Sequence, residues 1–317
     1  MAGTNLSIRR AESSFGSAHG VAEVHTLIGR GLGHMVTGAT PEEVFPMAGK
    51  GVVVPLDGSQ VAESAVPVGA ELAQRLRVPL TLVHILDEGI EDQGERARAR
   101  GLFAGYAAKL HPGATVVVES GVVAKAILQA AKGAEFVVLA SHGRGGLKAN
   151  IIGSIADKVV RGASVPTLVL PLGASPSLAG RPVLVALDGS ETAERGLAAA
   201  RRLATVFEST VALVRAYSVP PPAGIEFVAY PVDLATTLQE AAEAYLGTVA
   251  KDGERTFARL ASSVEAITAV ANEVDAGLIV MTSHGKGLAQ RIALGSTTDR
   301  ALHSIERPML VVPAAGD

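Results

Sequence analysis

Val52-Val53-Val54-Pro55-Leu56-Asp57-Gly58-Ser59 is a short apolar run closed by Asp-Gly-Ser, and it returns 131 residues later as Val183-Leu184-Val185-Ala186-Leu187-Asp188-Gly189-Ser190. A run this short and this uniformly apolar reads as a strand buried on both faces. The Asp-Gly-Ser that ends it is turn chemistry. A second pair lies downstream, where Ser141-His142-Gly143-Arg144-Gly145 matches Ser283-His284-Gly285-Lys286-Gly287 at an offset of 142. Both copies then end alike, Val165-Pro166-Thr167-Leu168-Val169-Leu170-Pro171 against Arg307-Pro308-Met309-Leu310-Val311-Val312-Pro313. The chain is a tandem repeat. The two offsets differ by 11 residues, and the Pro-rich stretch 219–231 is where the second copy is expected to hold its extra length.

Inside each copy, short apolar runs alternate with longer stretches of helical period, the pattern of a parallel sheet with crossover helices. The first copy predicts strands at 52–56, 80–86, 115–119, 135–140 and 166–170. Helices are expected over 62–77, 93–111, 122–132 and 154–161. Helices must cover both faces of such a sheet, so the expected fold is α/β: two tandem doubly wound domains, each a five-stranded parallel sheet of Rossmann-like type. Their expected bounds are 49–172 and 181–314, with 173–180 as linker. In this architecture ligands bind beyond the carboxyl ends of the strands, where strand order reverses. Asp57 and Ser141 to Gly143 fall there.

Composition narrows the function classes. The 317 residues are 48% hydrophobic and 19% charged, with a formal charge of −3, no Trp and 3% aromatics. That leaves neither a basic surface nor a stacking platform for nucleic acid. With no cysteine, thiolate metal sites and disulfides are excluded, and a cytoplasmic location is the simplest expectation. Apolar runs such as 52–56 are too short to span a membrane. Residues 1–47 are rich in Gly, Ser, Thr and Ala and are expected to be a disordered extension. Met47, just before the first strand, is a second candidate for the start of the chain.

The loop after the fourth strand carries the chemical content. Gly143, Gly145 and Gly146 allow backbone N–H groups to approach a ligand with no Cβ in the way. Gly153-Ser154 then opens a helix, with Ser154 expected as N-cap and Asp157 three residues on in the manner of a capping box; Ser296 and Asp299 repeat this. The N–H groups and dipole at such an end favour an anion such as phosphate.

These residues resemble those of the universal stress protein family, over both copies. The family's ATP-binding pattern is Gly, two residues, Gly, nine residues, then Gly followed by Ser or Thr. Gly143 and Gly153-Ser154 enclose nine residues, as do Gly285 and Gly295-Ser296. The resemblance implies ATP or another adenine nucleotide as ligand, with Mg2+ as accompanying ion. It places Asp57 and Asp188 beside the nucleotide, Ile85 and Ala216 where the backbone meets adenine, and Leu139 and Met281 under the base. Ile155 and Thr297, after Gly153-Ser154 and Gly295-Ser296, complete the expected site. It also implies an intramolecular pseudo-dimer of the two copies, or a homodimer, with 167–170 and 309–312 as candidate pairing edges.

At the pattern's first glycine this sequence has Ala140 and Thr282. If that position needs positive φ or close approach to the ligand, a Cβ costs about 1–3 kcal/mol, or roughly 5- to 150-fold in affinity. Ala140 is the milder change, so the first copy is expected to bind better, unless the Thr282 hydroxyl replaces a lost contact. His142 and His284 recur beside the glycines without a partnered nucleophile or carboxylate, which favours a structural role over catalysis. Three readings stand: a nucleotide-binding regulatory protein, a slow ATPase or adenylate-transferring enzyme, and a scaffold with vestigial pockets.

Overall fold

The structure, a computed structural model, describes residues 51–86, 93–142, 152–174, 177–219, 233–284 and 294–314. The first copy runs β1 (Val52–Leu56), α1 (Gln60–Glu63), α2 (Ala65–Leu76), β2 (Leu80–Leu86), α3 (Gln93–Leu110), β3 (Thr115–Ser120), α4 (Val123–Ala130), β4 (Phe136–Ala140), α5 (Ser154–Gly162) and β5 (Thr167–Leu170). The second repeats it as β6 (Val183–Ala186), α6 (Glu191–Val206), β7 (Val211–Tyr217), α7 (Leu234–Val249), β8 (Arg255–Leu260), α8 (Ser263–Glu273), β9 (Leu278–Thr282), α9 (Ser296–Ser304) and β10 (Met309–Val312).

Each copy forms a parallel five-stranded sheet, and the two join into one sheet in the order β3-β2-β1-β4-β5-β10-β9-β6-β7-β8. The junction is the single antiparallel pairing between described strands, with Met309 opposite Val169, Leu310 opposite Leu168 and Val311 opposite Thr167. Two apolar edge strands that would otherwise expose unpaired backbone groups thus satisfy each other.

Alternation along the strands sorts side chains between two layers. Val52, Val54 and Leu56 join Val183, Val185, Leu168 and Leu310 in one core that runs under α2, α3, α6 and α7. On the other face the core divides. Val53 and Val169 pack under α4 and α5, and Leu184 and Ile279 under α8 and α9. Polar contacts also cross between the copies: Arg75 Nη1 donates to Val206 O (3.0 Å), and Arg202 Nη2 to Glu135 Oε2 (2.5 Å). Leu178, between the copies, lies in the shared core. Residues 1–47 and most of 219–231, for which the sequence predicted an extension and an insertion, lie outside the described residues.

Candidate functional site

In each copy strand order reverses between the first strand and the fourth, β1 against β4 and β6 against β9. In an open α/β sheet such a reversal is where a ligand crevice lies. Asp57 and Asp188 stand on one side of it in nearly identical turns. Asp57 Oδ1 accepts from Ser59 N (2.9 Å) and Ser59 Oγ (2.6 Å); Asp188 Oδ1 accepts from Ser190 N and Oγ at the same distances. The intervening Gly58 and Gly189 have φ of 80° and 82°, the left-handed region that glycine enters without strain. Ser59 and Ser190 then cap the following helices, accepting from Ala62 N and Ala193 N. One carboxylate oxygen of each Asp is thus committed to the turn.

The other wall comes from the ends of β4 and β9. Leu139 and Met281 are buried in the sheet, and Ile85 and Ala216, near the ends of β2 and β7, are half-buried. Ser141 O accepts from Gly153 N (2.6 Å), and Ser283 O from Gly295 N (2.7 Å), so each helix start is tied to its strand end. Gly143 and Gly285 lie outside the described residues.

Ser154 and Ser296 are not the N-caps that the sequence suggested. Gly153 and Gly295 are, and neither α5 nor α9 has a side-chain cap. Asp157 N and Asp299 N donate to the Gly153 and Gly295 carbonyls, which makes the serines the first helical residues. The Asp157 carboxylate turns to Arg161 Nε (2.8 Å) instead of reaching back to close a box. The first-turn N–H groups consequently lack a capping side chain, a state that suits an anion. Ser154 and Ile155 are exposed there, and Thr297 is half-exposed.

His142 and His284 repeat a second unmet group. Each Nδ1 shares a hydrogen bond with the preceding serine hydroxyl, at 2.8 Å and 3.1 Å. Each Nε2 is buried without a hydrogen-bond partner among the described residues. A buried ring nitrogen left unsatisfied is costly, and its recurrence in both copies points to a missing partner.

Ala140 and Thr282 close their strands, and neither has positive φ. The backbone-strain cost considered from sequence does not arise. The Thr282 hydroxyl turns inward and donates to His284 O (2.8 Å), while Thr298 Oγ1 donates to Thr282 O (2.8 Å). At the matching places the first copy has Ala140 and Ala156, which have no hydroxyl. The second copy's strand end is therefore the more firmly held.

A further cluster flanks each Asp-Gly-Ser turn. In the first copy Tyr106 donates to Glu63 Oε1, Phe103 stacks on His84 at 4.6 Å, and His84 Nδ1 lies 2.8 Å from Leu56 O. In the second, Tyr245 donates to Glu194 Oε1 (3.0 Å) and Arg215 lies 4.4 Å over the Tyr245 ring. Burial first, and then the neighbouring glutamate, push both phenols well above the ordinary tyrosine range. The repeated Glu and Tyr were readable by comparing the copies. His84 and Arg215 differ, and that difference carried no signal in either copy alone.

A duplicated α/β protein with one doubly wound parallel sheet per copy is the class that this fold defines. The chain belongs to the universal stress protein family: the family's model matches residues 50–171 and again 180–313. It is similar to universal stress protein Rv2005c of Mycobacterium tuberculosis, 29% identical over 295 residues that cover 84% of this chain and 98% of the relative. Universal stress protein Rv2623 of the same species is 24% identical over 283 residues, covering 82% and 95%. Among solved structures, a universal stress protein from Archaeoglobus fulgidus matches with a TM-score of 0.64 at 19% identity, covering 84% of this chain and 98% of that one, a likeness of fold.

Proposed function

We propose that this protein is a regulatory adenine-nucleotide-binding protein with one site per copy and ATP as the favoured ligand. The observation that carries this reading is that in both copies an uncapped helix start is hydrogen-bonded to the strand-end serine that immediately precedes a histidine with a buried, unpartnered Nε2. The helix starts at Gly153-Ser154 and Gly295-Ser296 suit the phosphates. Leu139 and Met281 floor the base, Ile85 and Ala216 border it, and Asp57 and Asp188 close the crevice opposite. Mg2+, when bound with ATP, would offset phosphate charge that the neutral helix starts only partly balance.

The two copies serve as pseudo-dimer partners, spanning 49–172 and 181–314. Binding rather than turnover is the role this reading assigns, with His142 and His284, each hydrogen-bonded to the preceding serine, as positioning groups. A scaffold with vestigial pockets is the second reading, favoured by Ala140 and Thr282 at the pattern's first glycine.

Titration calorimetry with ATP separates these readings. The nucleotide-binding reading expects two sites per chain, with Gly153→Val and Gly295→Val each removing one. No heat with the chain folded leaves the scaffold, and ADP accumulating during incubation means an ATPase. The described residues include no helix long and apolar enough to cross a membrane.

A further inference from the structure

The two crevices are joined by more than a shared sheet. In the first copy Gly153 N donates to Ser141 O, and Ser141 N to Leu170 O at the end of β5 (2.7 Å). The second copy repeats the path from Gly295 N to Ser283 O, and from Ser283 N to Val312 O at the end of β10 (2.8 Å). β5 and β10 pair through Thr167–Val169 and Met309–Val311, so each helix start is hydrogen-bonded, through its serine, to the end of a junction strand.

Side chains follow the same route. Ile152 and Leu294, which immediately precede Gly153 and Gly295, are 5% and 6% exposed and lie in one hydrophobic cluster with Val169 and Val311. Most of that cluster belongs to the first copy, so Leu294 packs from the second copy into the first copy's layer beneath α4 and α5. Leu302 of α9 packs against this cluster and against the second copy's own.

The polar tie across this junction is one-sided. Arg161 of α5 binds Asp157 on its own helix and Asp299 on α9. Its counterpart in the repeat is His303, whose Nδ1 bonds Asp299 O within α9 (2.7 Å). Two equivalent first-turn carboxylates therefore share one guanidinium. Ser141, His142 and Ile152 of the first copy and Leu302, His303 and Met309 of the second line one small, half-open pocket at the junction.

We infer that Leu294 and Arg161 are positioning residues that couple the two sites, so that ligand at one helix start tightens binding at the other. This rests on the nucleotide-binding reading. A first ligand that fixes one helix start also orders the cluster and carboxylates on which the second start depends, and the second ligand then has less to order.

Calorimetry with ATP on the full chain tests it. Gly153→Val and Gly295→Val give the affinity of each site alone. In the unaltered chain the second ATP should bind about five-fold or more tighter than it binds to the matching single-site variant, the lower end of ordinary coupling. Leu294→Ala and Arg161→Met should each bring the unaltered isotherm down to the sum of the single sites, and Leu294→Ile should retain the coupling. Arg161→Met keeps the test open if Leu294→Ala does not fold. An isotherm already equal to the sum of independent sites, or a weaker second ATP, overturns the coupling alone. Absence of ATP binding in every form overturns the nucleotide reading and the coupling with it.

Discussion

Two glycines sit on the inner face of matched helices, one turn out of step, and they should respond oppositely to alanine. Gly69 in α2 aligns with Ala200, and Gly196 in α6 aligns with Ala65. A Cβ built on Gly69 falls 2.5 Å from Val54 Cγ2, about 1 Å inside normal carbon contact. Val54 cannot easily retreat, being fully buried in β1 between β2 and β4 and restricted at χ1. Alanine gains about 1 kcal/mol of helix propensity, while overpacking costs about 1–3 kcal/mol. Gly69→Ala should therefore destabilise by up to about 2 kcal/mol by the same terms.

At Gly196 the nearest atoms to a Cβ are 3.5, 3.7 and 3.8 Å away, which is ordinary contact. The propensity gain is then unopposed, and a buried methyl adds about 0.8 kcal/mol. Gly196→Ala should stabilise by about 1–2 kcal/mol. Urea denaturation followed by circular dichroism reads both as shifts of midpoint at constant slope. Equal stabilisation by the two variants would refute the packing of α2 on β1.

The Arg201–Glu254 pair, with Nε to Oε1 at 2.7 Å and Nη2 to Oε2 at 2.8 Å, is two-pronged, and Glu254→Gln should cost about 1–3 kcal/mol at neutral pH. The hydrogen bond from Arg201 holds the Glu254 carboxyl below its ordinary value. Its contribution is complete above the ordinary carboxylate range and is lost as pH falls through the depressed value, so the gap between wild type and Glu254→Gln should close in acid melts. Thr298→Ala removes the strap on Thr282 and should cost about 1 kcal/mol. Amide exchange should speed up around residues 282–284 and stay unchanged around Ala140, and uniform exchange would contradict the asymmetry of the two strand ends.

Much of the fold was legible because parallel strands buried on both faces appear as plain apolar runs. β1 and β2 begin and end where the sequence places them, and β3, β4 and β5 differ by one residue. The start of α5 was misread because a serine before an acidic residue has the form of a cap. Which carbonyl accepts Asp157 N depends on how the chain enters from Ser141, and composition does not encode that entry. Leu294 and Arg161 were invisible for a related reason. Leu294 reads as an ordinary apolar residue until the second copy is placed against the first, and the Arg161–Asp299 pair spans 138 residues. Residues 167–170 and 309–312 were candidate pairing edges only through the family resemblance, since apolar edges do not name their partner, and the antiparallel sense came from the structure. The Glu63–Tyr106 and Glu194–Tyr245 pairs stood in both copies all along, and aligning the repeats throughout would have revealed them.

Amide hydrogen exchange with and without saturating ATP reports where on the chain the nucleotide sits. Protection is expected at both helix starts, 153–157 and 295–299, and at both turns, 57–59 and 188–190. Protection absent from both helix starts while ATP is bound would contradict that placement.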